Sequence, residues 1–474
     1  MKPSTENIRF FNTLTREKEK FIPLEQGKAK LYACGPTVYD FAHIGNLRSF
    51  IFEDLMRRWL EYRGFNVTQV MNLTDVDDKT ITASRKHGIP LEECTERYIK
   101  AFFEDLTKLN IEEAEHYPRA TEHIPEMTAF IKKLLEKGYG YRGKDGSIYY
   151  DISRFTGYGK LSKIRVEELK PGARVKVDEY GKEEAHDFAL WKAWDEEDGE
   201  VFWETEIGKG RPGWHIECST MAMKYLGETI DIHSGGVDLI FPHHENEIAQ
   251  SEAVTGKTFV NYWLHNEHLL VEGKRMAKSS GNYYTLRDLT KMGYNPKTVR
   301  YLLLSTHYRQ QLNFTFKGLE AAKNTVDRLM NFMHRLMDAK GEECGERIVV
   351  LMGDVQKRFE EAMDDDLNIS LALAALFDFV REVNKLVDDN ILSKEEAEEV
   401  SKLMMRFDKV LGVIGKIKIE DKLSKEAEEL IRKREEARKA KDWATADKIR
   451  QQLRHMGIVV EDTPQGLKWR IEKH

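Results

Sequence analysis

The chain has 474 residues, of which 41% are hydrophobic and 33% charged, and its formal net charge is -7. A chain of this length exceeds one hydrophobic core, so roughly two to four domains are expected. No run reaches the roughly 18 apolar residues of a membrane span, and residues 1–20 are too polar for a signal peptide. The acidic balance argues against indiscriminate nucleic-acid binding, although a local basic face can still steer a partner.

The cysteines are few and scattered along the chain. Cys34, Cys94, Cys218 and Cys344 show no CxxC spacing, which argues against a disulfide scaffold and favours a reducing compartment. We therefore expect a cytoplasmic protein without membrane attachment. No role is indicated for Cys94 or Cys344, which we interpret as structural or incidental.

Segment 34–46, CGPTVYDFAHIGN, connects a short apolar strand to a helix predicted over 47–63 from apolar residues at three-to-four spacing. The free N–H groups and the dipole of a helix N-terminus favour anions such as phosphate. His43 and Asn46 stand at this entrance, where their side chains can reach such an anion. Cys34 lies at the carboxyl end of the strand, the usual ligand position in an open α/β sheet. On composition alone, His43 is better explained as a helix cap.

Strands and helices alternate between residues 28 and 120, which predicts a parallel sheet with right-handed crossovers. A buried strand is predicted over 65–73 and helix over 82–109. No G-x-G-x-x-G motif is present, which argues against a dehydrogenase-type dinucleotide fold. Short strands and turns over 121–205 predict an insertion that splits this fold. The sheet-and-helix pattern then returns, with segment 188–192 and a strand over 229–233.

The second half of the chain is predominantly helical. Helical periodicity beyond residue 295 continues to about 415 and predicts a helical bundle. After a charged linker, a single charged helix is predicted over 424–456. The segment that follows it, with Pro-Gln-Gly at 464–466, predicts a terminal β-hairpin.

A metal site is one interpretation of four distant residues. His243 and Glu247 are four positions apart at the start of a predicted helix, so they share a face. Cys34 and Cys218 are each expected near the end of a sheet element. Two thiolates, an imidazole and a carboxylate form a workable Zn²⁺ ligand set. The spacing alone is weak evidence, because His244 pairs equally well with Glu247 and a buried cysteine is more often a small hydrophobe.

Together these segments resemble the class I aminoacyl-tRNA synthetases. Segment 43–46, HIGN, resembles their HIGH signature, and segment 275–279, RMAKS, resembles their KMSKS loop. Four further segments resemble the cysteinyl-tRNA synthetase family in particular, namely YACGP at 32–36, GWHIEC at 213–218, IHSGGVDLIFPHHENE at 232–247 and KDWATAD at 441–447. The resemblance extends from about residue 8 to the end of the chain, with the motifs in the same order.

The resemblance implies a class I Rossmann-like parallel-sheet catalytic domain split by an insertion, then a helical bundle and a small α+β anticodon-binding domain. The catalytic domain is expected in two halves, at residues 1–120 and 206–270, separated by the connective insertion at 121–205. The KMSKS-loop and stem-contact region is expected at 271–315, the helical bundle at 316–415 and the anticodon-binding domain at 424–474.

The resemblance also implies one zinc ion in the amino-acid pocket, held by residues matching Cys34, Cys218, His243 and Glu247. An ordinary pocket separates a hydroxyl from its isostere by only about 10–200-fold, whereas a metal–thiolate bond can exceed this, so no editing domain is needed. Residues matching the cysteine pocket of the family are Cys34, Thr74, Trp214 and His233. Without the resemblance, Thr74, Trp214 and His233 are equally well explained as core or strand-edge residues.

For the activation step the resemblance implies ATP with Mg²⁺. His43 and Asn46 are expected to bind the phosphates, and Lys278 to follow the leaving pyrophosphate. The expected ATP-binding residues are Pro36, Thr37, His43, Asn46, Arg275, Met276, Lys278 and Ser279. Two departures from the family motifs stand out, Asn46 in the fourth position of HIGH and Arg275 with Ala277 in the loop. We expect activity with slower loop closure.

For the transfer step the resemblance implies tRNA-Cys as partner, attack by the ribose 2′-OH, and a monomeric enzyme. Arg438, Trp443 and Asp447, expected on one helix, offer planes and edges that can read anticodon bases. The alternative is a solvated charged helix with Trp443 docked on the hairpin. Two other functions stay open, a ligase that passes cysteine to a small amine and a catalytically silent RNA-binding protein, for which Asn46 and Ala277 are the hints.

Overall fold

The computed structural model describes residues 7–164, 174–175, 186–277, 280–415, 425–463 and 466–471. Only the backbone is described at residues 174, 175, 425, 461–463, 466 and 468–471. The chain divides into two compact units, Met1–Ile414 and Gly415–His474. In these described ranges, every helix is too short or too polar to cross a membrane.

The nucleotide-binding part of the first unit alternates strands and helices up to the insertion. Its elements are β1 (Arg9–Asn12), β2 (Glu17–Lys20), β3 (Lys28–Ala33), α1 (Ile44–Tyr62), β4 (Asn66–Met71), α2 (Asp78–His87) and α3 (Leu91–Lys108). The insertion contains α4 (Ile124–Glu136), β5 (Gly140–Arg142), β6 (Ile148–Tyr150), β7 (Arg174–Val175), β8 (Asp187–Ala193), β9 (Trp203–Thr205) and β10 (Gly208–Pro212).

The chain then returns to the first sheet and continues into helices. The elements are α5 (Trp214–Leu226), β11 (Ile230–Gly236), α6 (Glu245–Thr255), β12 (Val260–Asn266), β13 (Leu269–Val271), β14 (Lys274–Arg275), α7 (Leu286–Lys291), α8 (Pro296–Leu304), β15 (Leu312–Phe314), α9 (Phe316–Met337), α10 (Glu346–Asp364), α11 (Ile369–Asp388) and α12 (Lys394–Leu411). The helices α9 to α12 confirm the predicted bundle.

The central sheet is parallel, as predicted, with strand order β12-β11-β3-β4. Its register pairs Leu31 with Ile232 on one side and with Gln69 on the other. The strands that pair directly with β3 therefore come from both sides of the insertion, which confirms a split nucleotide-binding fold. Because parallel strands all end at the same edge, the carboxyl ends of β3, β4 and β11 lie together, where ligands bind in folds of this kind.

The insertion differs from its prediction in three respects. It contains a full helix, α4, in addition to short strands. Segment 188–192 lies in β8 and does not return to the nucleotide fold as expected. β8 is a central strand of a sheet with antiparallel order β5-β6-β8-β10-β9, to which β7 adds a parallel pairing with β8. This sheet continues to Pro212, beyond the expected end at 205. Residues 187–192 are all buried, and hydrophobic periodicity cannot assign a strand buried on both faces to one sheet or another.

The helix predicted over 82–109 is two helices. α2 ends at Gly88, whose φ of 65° is left-handed, and α3 begins after Pro90. Glycine ends a helix in this conformation, and proline cannot donate to the preceding turn. The prediction that Cys218 lies near a strand end is also wrong, because Cys218 is inside α5.

The second unit contains α13 (Lys425–Lys439), α14 (Trp443–His455), β16 (Ile458–Thr463) and β17 (Gly466–Ile471). The single helix predicted over 424–456 is therefore wrong, and the break lies near Lys441, which has a positive φ of 60°. The two strands pair antiparallel, which confirms the hairpin, although residues 464–465 of its turn lie outside the described residues. A small core joins the helices to the hairpin through Ala427, Leu453 and Val460.

Candidate active site

The entrance of α1 is a reciprocal capping box. The Nδ1 atom of His43 accepts hydrogen bonds from the backbone N–H groups of Gly45 and Asn46, each at 3.1 Å. The side-chain oxygen of Asn46 accepts from the N–H of His43 at 3.2 Å. Because Nδ1 is an acceptor, the neutral ring carries its proton on Nε2, which can donate. His43 thus has the cap role favoured by composition, and Asn46 closes the box.

The loop that resembles KMSKS lies against this entrance. The methyl carbon of Met276 would be 3.2 Å from a Cβ placed on Gly45, and the ring of His43 would be as close as 2.9 Å. Any larger residue at position 45 would therefore displace one of these side chains. Asn282 closes the neck of the loop, since it accepts from the N–H of Ala277 at 2.9 Å and donates to the carbonyl of Arg275 at 3.1 Å. Lys278 and Ser279 lie outside the described residues.

Pro36 and Thr37 extend the contact between the ends of β3 and β4. The N–H of Thr74 donates to the carbonyl of Pro36 at 3.1 Å, and Thr37 and Thr74 form a parallel bridge. The hydroxyl of Thr74 donates to a carboxylate oxygen of Glu217 on α5 at 2.9 Å. Thr74 is 1% exposed. Its contacts place it at the edge of the sheet, between the segment that contains Pro36 and Thr37 and helix α5.

Four residues from three parts of the chain form a cluster of metal-ligand type at the same edge. The donor atoms of Cys34, Cys218, His243 and Glu247 all lie within 4.8 Å of one another. Cys34 follows β3 and Cys218 lies in α5, whereas His243 lies two residues before α6 and Glu247 is in the first turn of α6. The structure therefore brings together the four residues that the sequence selected, although a helix and not a strand supplies Cys218.

The donor chemistry fits a metal ion. Nε2 of His243 lies 3.1 Å from Oε1 of Glu247, yet this buried oxygen has no hydrogen-bond donor among the described residues. Burial lowers the pKa of His243 well below its usual value, so its ring is neutral and carries a lone pair. Burial raises the pKa of both cysteine thiols and of the Glu247 carboxyl. A cation reverses these last shifts by favouring the anionic forms.

A second donor set shares two of these residues. Cys34, His233, His244 and Glu247 also lie within 4.8 Å of one another. His233, however, hydrogen-bonds the other oxygen of Glu247 through its Nε2 at 3.0 Å, and it thereby turns Oε1 toward His243. His244 contacts the sulfur of Cys34 at 3.3 Å and His265 at 2.8 Å. The contacts thus favour the first set, with His233 as a residue that orients Glu247.

Two aromatic residues contact His243. Trp214 was expected from the sequence as a pocket residue, and His215 was not. The ring of Trp214 stacks on His243, with centroids 4.1 Å apart. His215 was missed, although its Nδ1 lies 3.0 Å from Nδ1 of His243. A ligand histidine usually donates its second N–H to such a partner, which fixes its tautomer. The available signal was the position of His215 beside Trp214 in the motif at 213–218.

Arg438, Trp443 and Asp447 lie on two helices and not on one as expected. Arg438 is in the last turn of α13, and its guanidinium lies over the ring of Trp443, 5.4 Å from the centroid. Trp443 begins α14 and is 55% exposed, which contradicts the alternative of a tryptophan docked on the hairpin. Asp447 is on the next turn of α14 and is exposed. The break between α13 and α14 thus brings the guanidinium of Arg438 and the ring of Trp443 into contact.

Family models match nearly the whole chain. The model described as tRNA synthetases class I (C) catalytic domain matches residues 20–324, the DALR domain matches 358–415, and the Cysteinyl-tRNA ligase anticodon binding domain matches 420–470. The Cysteine--tRNA ligase of Protochlamydia amoebophila is 53% identical over 97% of this chain and 97% of its own length. The Cysteine--tRNA ligase of Chlamydia pneumoniae is 49% identical over 98% of each chain.

Solved structures give the same architecture at low sequence identity. The methionyl-tRNA synthetase of Mycobacterium tuberculosis, in complex with methionyl-adenylate, superposes with a TM-score of 0.60 at 14% identity, covering 82% of this chain and 90% of its own. The LeuRS of Agrobacterium radiobacter, in a ternary complex with tRNA and LeuAMS, has a TM-score of 0.60 at 12% identity, covering 83% and 85%. At such identities the likeness concerns the fold alone.

Proposed function

Because the chain belongs to the cysteinyl-tRNA synthetase family, we propose that its buried metal cluster selects the substrate thiol while the enzyme ligates L-cysteine to tRNA-Cys. The activity is that of a class I ligase that uses ATP to join cysteine to tRNA. One observation carries the proposed selectivity, the set of two sulfurs, one imidazole and one carboxylate within 4.8 Å at the ligand edge of the sheet.

Cys34, Cys218, His243 and Glu247 would hold one Zn²⁺. When bound, Zn²⁺ supplies a soft Lewis acid that prefers the thiolate of cysteine to the hydroxyl of serine. Around it, His233 orients the Glu247 carboxylate, and Trp214 covers one face of the His243 ring. Thr74 supplies a polar group at the edge of the same pocket. These residues would line the pocket and limit the orientations open to the amino-acid side chain.

In the activation step the carboxylate of cysteine attacks the α-phosphate of ATP, and pyrophosphate leaves. Charge increases on the phosphate oxygens, so donors fixed beforehand stabilise the transition state. The capping box supplies such donors in Nε2 of His43 and the amide N–H₂ of Asn46, at a helix N-terminus that favours anions. Mg²⁺ would accompany ATP. Arg275 and Met276 would close over the nucleotide, with Pro36 and Thr37 below it, and Lys278 and Ser279 would bind the departing pyrophosphate.

In the transfer step the 2′-OH of the terminal adenosine attacks the carbonyl carbon of cysteinyl-adenylate, and AMP leaves. The anticodon would be read by the second unit, where Arg438 and Trp443 offer stacking planes and Asp447 offers acceptors. The exposed ring of Trp443 supports this role. A small-amine ligase has no use for the part that matches the anticodon-binding family. We further propose that the enzyme acts as a monomer in the cytoplasm, in keeping with four free thiols.

ATP–pyrophosphate exchange with the purified protein tests this function. Cysteine should drive exchange and serine should not, because serine offers no thiolate. Cys218→Ser should lose both bound zinc and cysteine-dependent exchange, whereas Cys94→Ser, which changes a buried cysteine outside the cluster, should retain both. The absence of exchange in zinc-replete protein would overturn the activation proposal and favour a silent RNA-binding protein.

A further inference from the structure

Arg48 is a buried cation whose hydrogen bonds within the described ranges all go to backbone carbonyls. It lies on α1 and is 2% exposed. Its Nη1 donates to the carbonyls of Glu267 and His268, each at 2.9 Å, and its Nη2 donates to those of His307 at 3.5 Å and of Gln310. A guanidinium presents its donors in a rigid planar fork, which a lysine ammonium cannot reproduce.

These carbonyls lie in the segments that precede two neighbouring parallel strands of one small sheet, β13 and β15. Glu267 and His268 form the turn between β12 and β13, so they connect this sheet to the nucleotide-binding sheet. His307 and Gln310 lie in the segment that leads to β15. The order of the small sheet is β14-β13-β15, and β14 ends at Arg275, where the loop resembling KMSKS begins. We call the hairpin of β13 and β14 (residues 269–275), which carries this loop, the loop arm. Arg48 therefore binds the backbone at the base of the loop arm, at residues 267 and 268.

The same helix also contacts the far end of the arm. The N–H of Ile44 donates to the carbonyl of Tyr284 at 2.9 Å, and the methyl carbon of Met276 lies over Gly45. Ile44 and Arg48 are four residues apart, and so they lie on one face of α1. Helix α1 thus contacts the loop arm at its base through Arg48, and its first turn contacts Met276 and Tyr284, which are described on either side of the loop.

We propose that Arg48 is a positioning residue for the activation step, which holds the loop arm in register with the helix N-terminus that binds the phosphates. The inference rests on the proposed role of Lys278 in that loop. Displacement of a catalytic group by about 1 Å can cost roughly 100-fold in rate. Loosening the base of the arm should therefore lower kcat without changing the cysteine pocket, which lies at the edge of the other sheet.

Arg58 provides a matched control, because it is a buried arginine on the same helix. It donates to Asp54 at 2.8 Å and to the carbonyls of Lys409 and Asn110 at 2.9 and 2.7 Å, all away from the loop arm. Arg48→Lys and Arg58→Lys should both lower the melting temperature. Only Arg48→Lys should lower kcat of pyrophosphate exchange, by roughly 10–100-fold, with unchanged zinc content and KM for cysteine.

Hydrogen exchange gives a readout independent of activity. The amides of residues 266–276 should exchange faster in Arg48→Lys and remain protected in Arg58→Lys. Arg48→Gln, which is shorter, uncharged and keeps only one pair of donors, is a second variant and should lower kcat at least as much as Arg48→Lys. Equal kcat in Arg48→Lys and Arg58→Lys, or unchanged exchange over 266–276, would overturn the inference. Lys278→Ala separates the two proposals, since full activity in that variant counts against the role of the loop itself.

Discussion

The carboxylate of Asp54 on α1 lies 2.5 Å from the guanidinium of Arg300 on α8, and both side chains are buried, at 0% and 1% exposure. Asp54 also accepts from the N–H of Glu112 at 2.8 Å. Arg300 donates to the carbonyl of Leu411 at 2.7 Å, at the end of α12. This pair therefore connects the helix that enters the active site with the helical bundle.

Removal of the charge on Asp54 should destabilise the first unit strongly. Asp54→Asn leaves Arg300 buried with an unbalanced charge, so the free energy of unfolding should fall by about 3–5 kcal/mol. Denaturant titration measures this change. Asp388→Asn is the control, because Asp388 pairs with Arg335 at 67% exposure and should cost at most about 1 kcal/mol. Equal losses of unfolding free energy in the two variants would show that the buried pair contributes no more to stability than the exposed pair.

Substitution of the two adjacent histidines should distinguish the two donor sets. His243→Gln removes a ligand of the first set and should weaken zinc binding by more than the roughly 10–100-fold typical of residues that only orient ligands. His244→Gln should stay within that range. Competition with a chromophoric chelator gives both affinities without an activity assay. If His244→Gln is the more damaging change, the metal belongs to Cys34, His233, His244 and Glu247.

The loop lysine should act mainly in the transition state. Lys278→Ala should lower kcat of pyrophosphate exchange by roughly 100–1,000-fold, the usual loss for a preorganised charge-stabilising group, with little change in KM for cysteine. Lys274→Ala, at an exposed position on β14, is the control and should change neither constant. A change confined to KM would mean that Lys278 binds the ground state and the transition state equally.

Anticodon recognition should separate from activation. Arg438→Ala and Asp447→Ala should reduce aminoacylation of tRNA-Cys, because each removes a group proposed to contact the anticodon. Pyrophosphate exchange should remain at the wild-type level, since that step needs no tRNA. Glu429→Gln, an exposed change on α13, serves as the matched control in both assays. An equal loss in aminoacylation and exchange would indicate general damage to the protein.

Elements whose signals are local could be predicted from the amino-acid sequence. The strand before Cys34, the helix after Asn46 and the terminal hairpin follow from hydrophobic spacing and turn residues, and the structure has them all. The sequence also supplied the four residues proposed to hold the metal ion and the resemblance to the family. Where local signals compete, it failed: a helix was predicted straight through Gly88 and Pro90, and another across the break near Lys441, because periodicity continues on both sides of each break.

Contacts between residues that are distant in the chain could not be predicted in this way. Cys34 and Cys218 are far apart in the chain, and their meeting with Glu247 depends on the split sheet and on α5, which no local pattern specifies. The resemblance already favoured His243 over His244, and the structure adds a physical reason, because His233 hydrogen-bonds the oxygen of Glu247 that does not face His243. Arg48 had no sequence signal, because its partners are backbone carbonyls, and a carbonyl is the same at every residue. These contacts depend on how the elements of the first unit pack together, which the local sequence pattern does not specify.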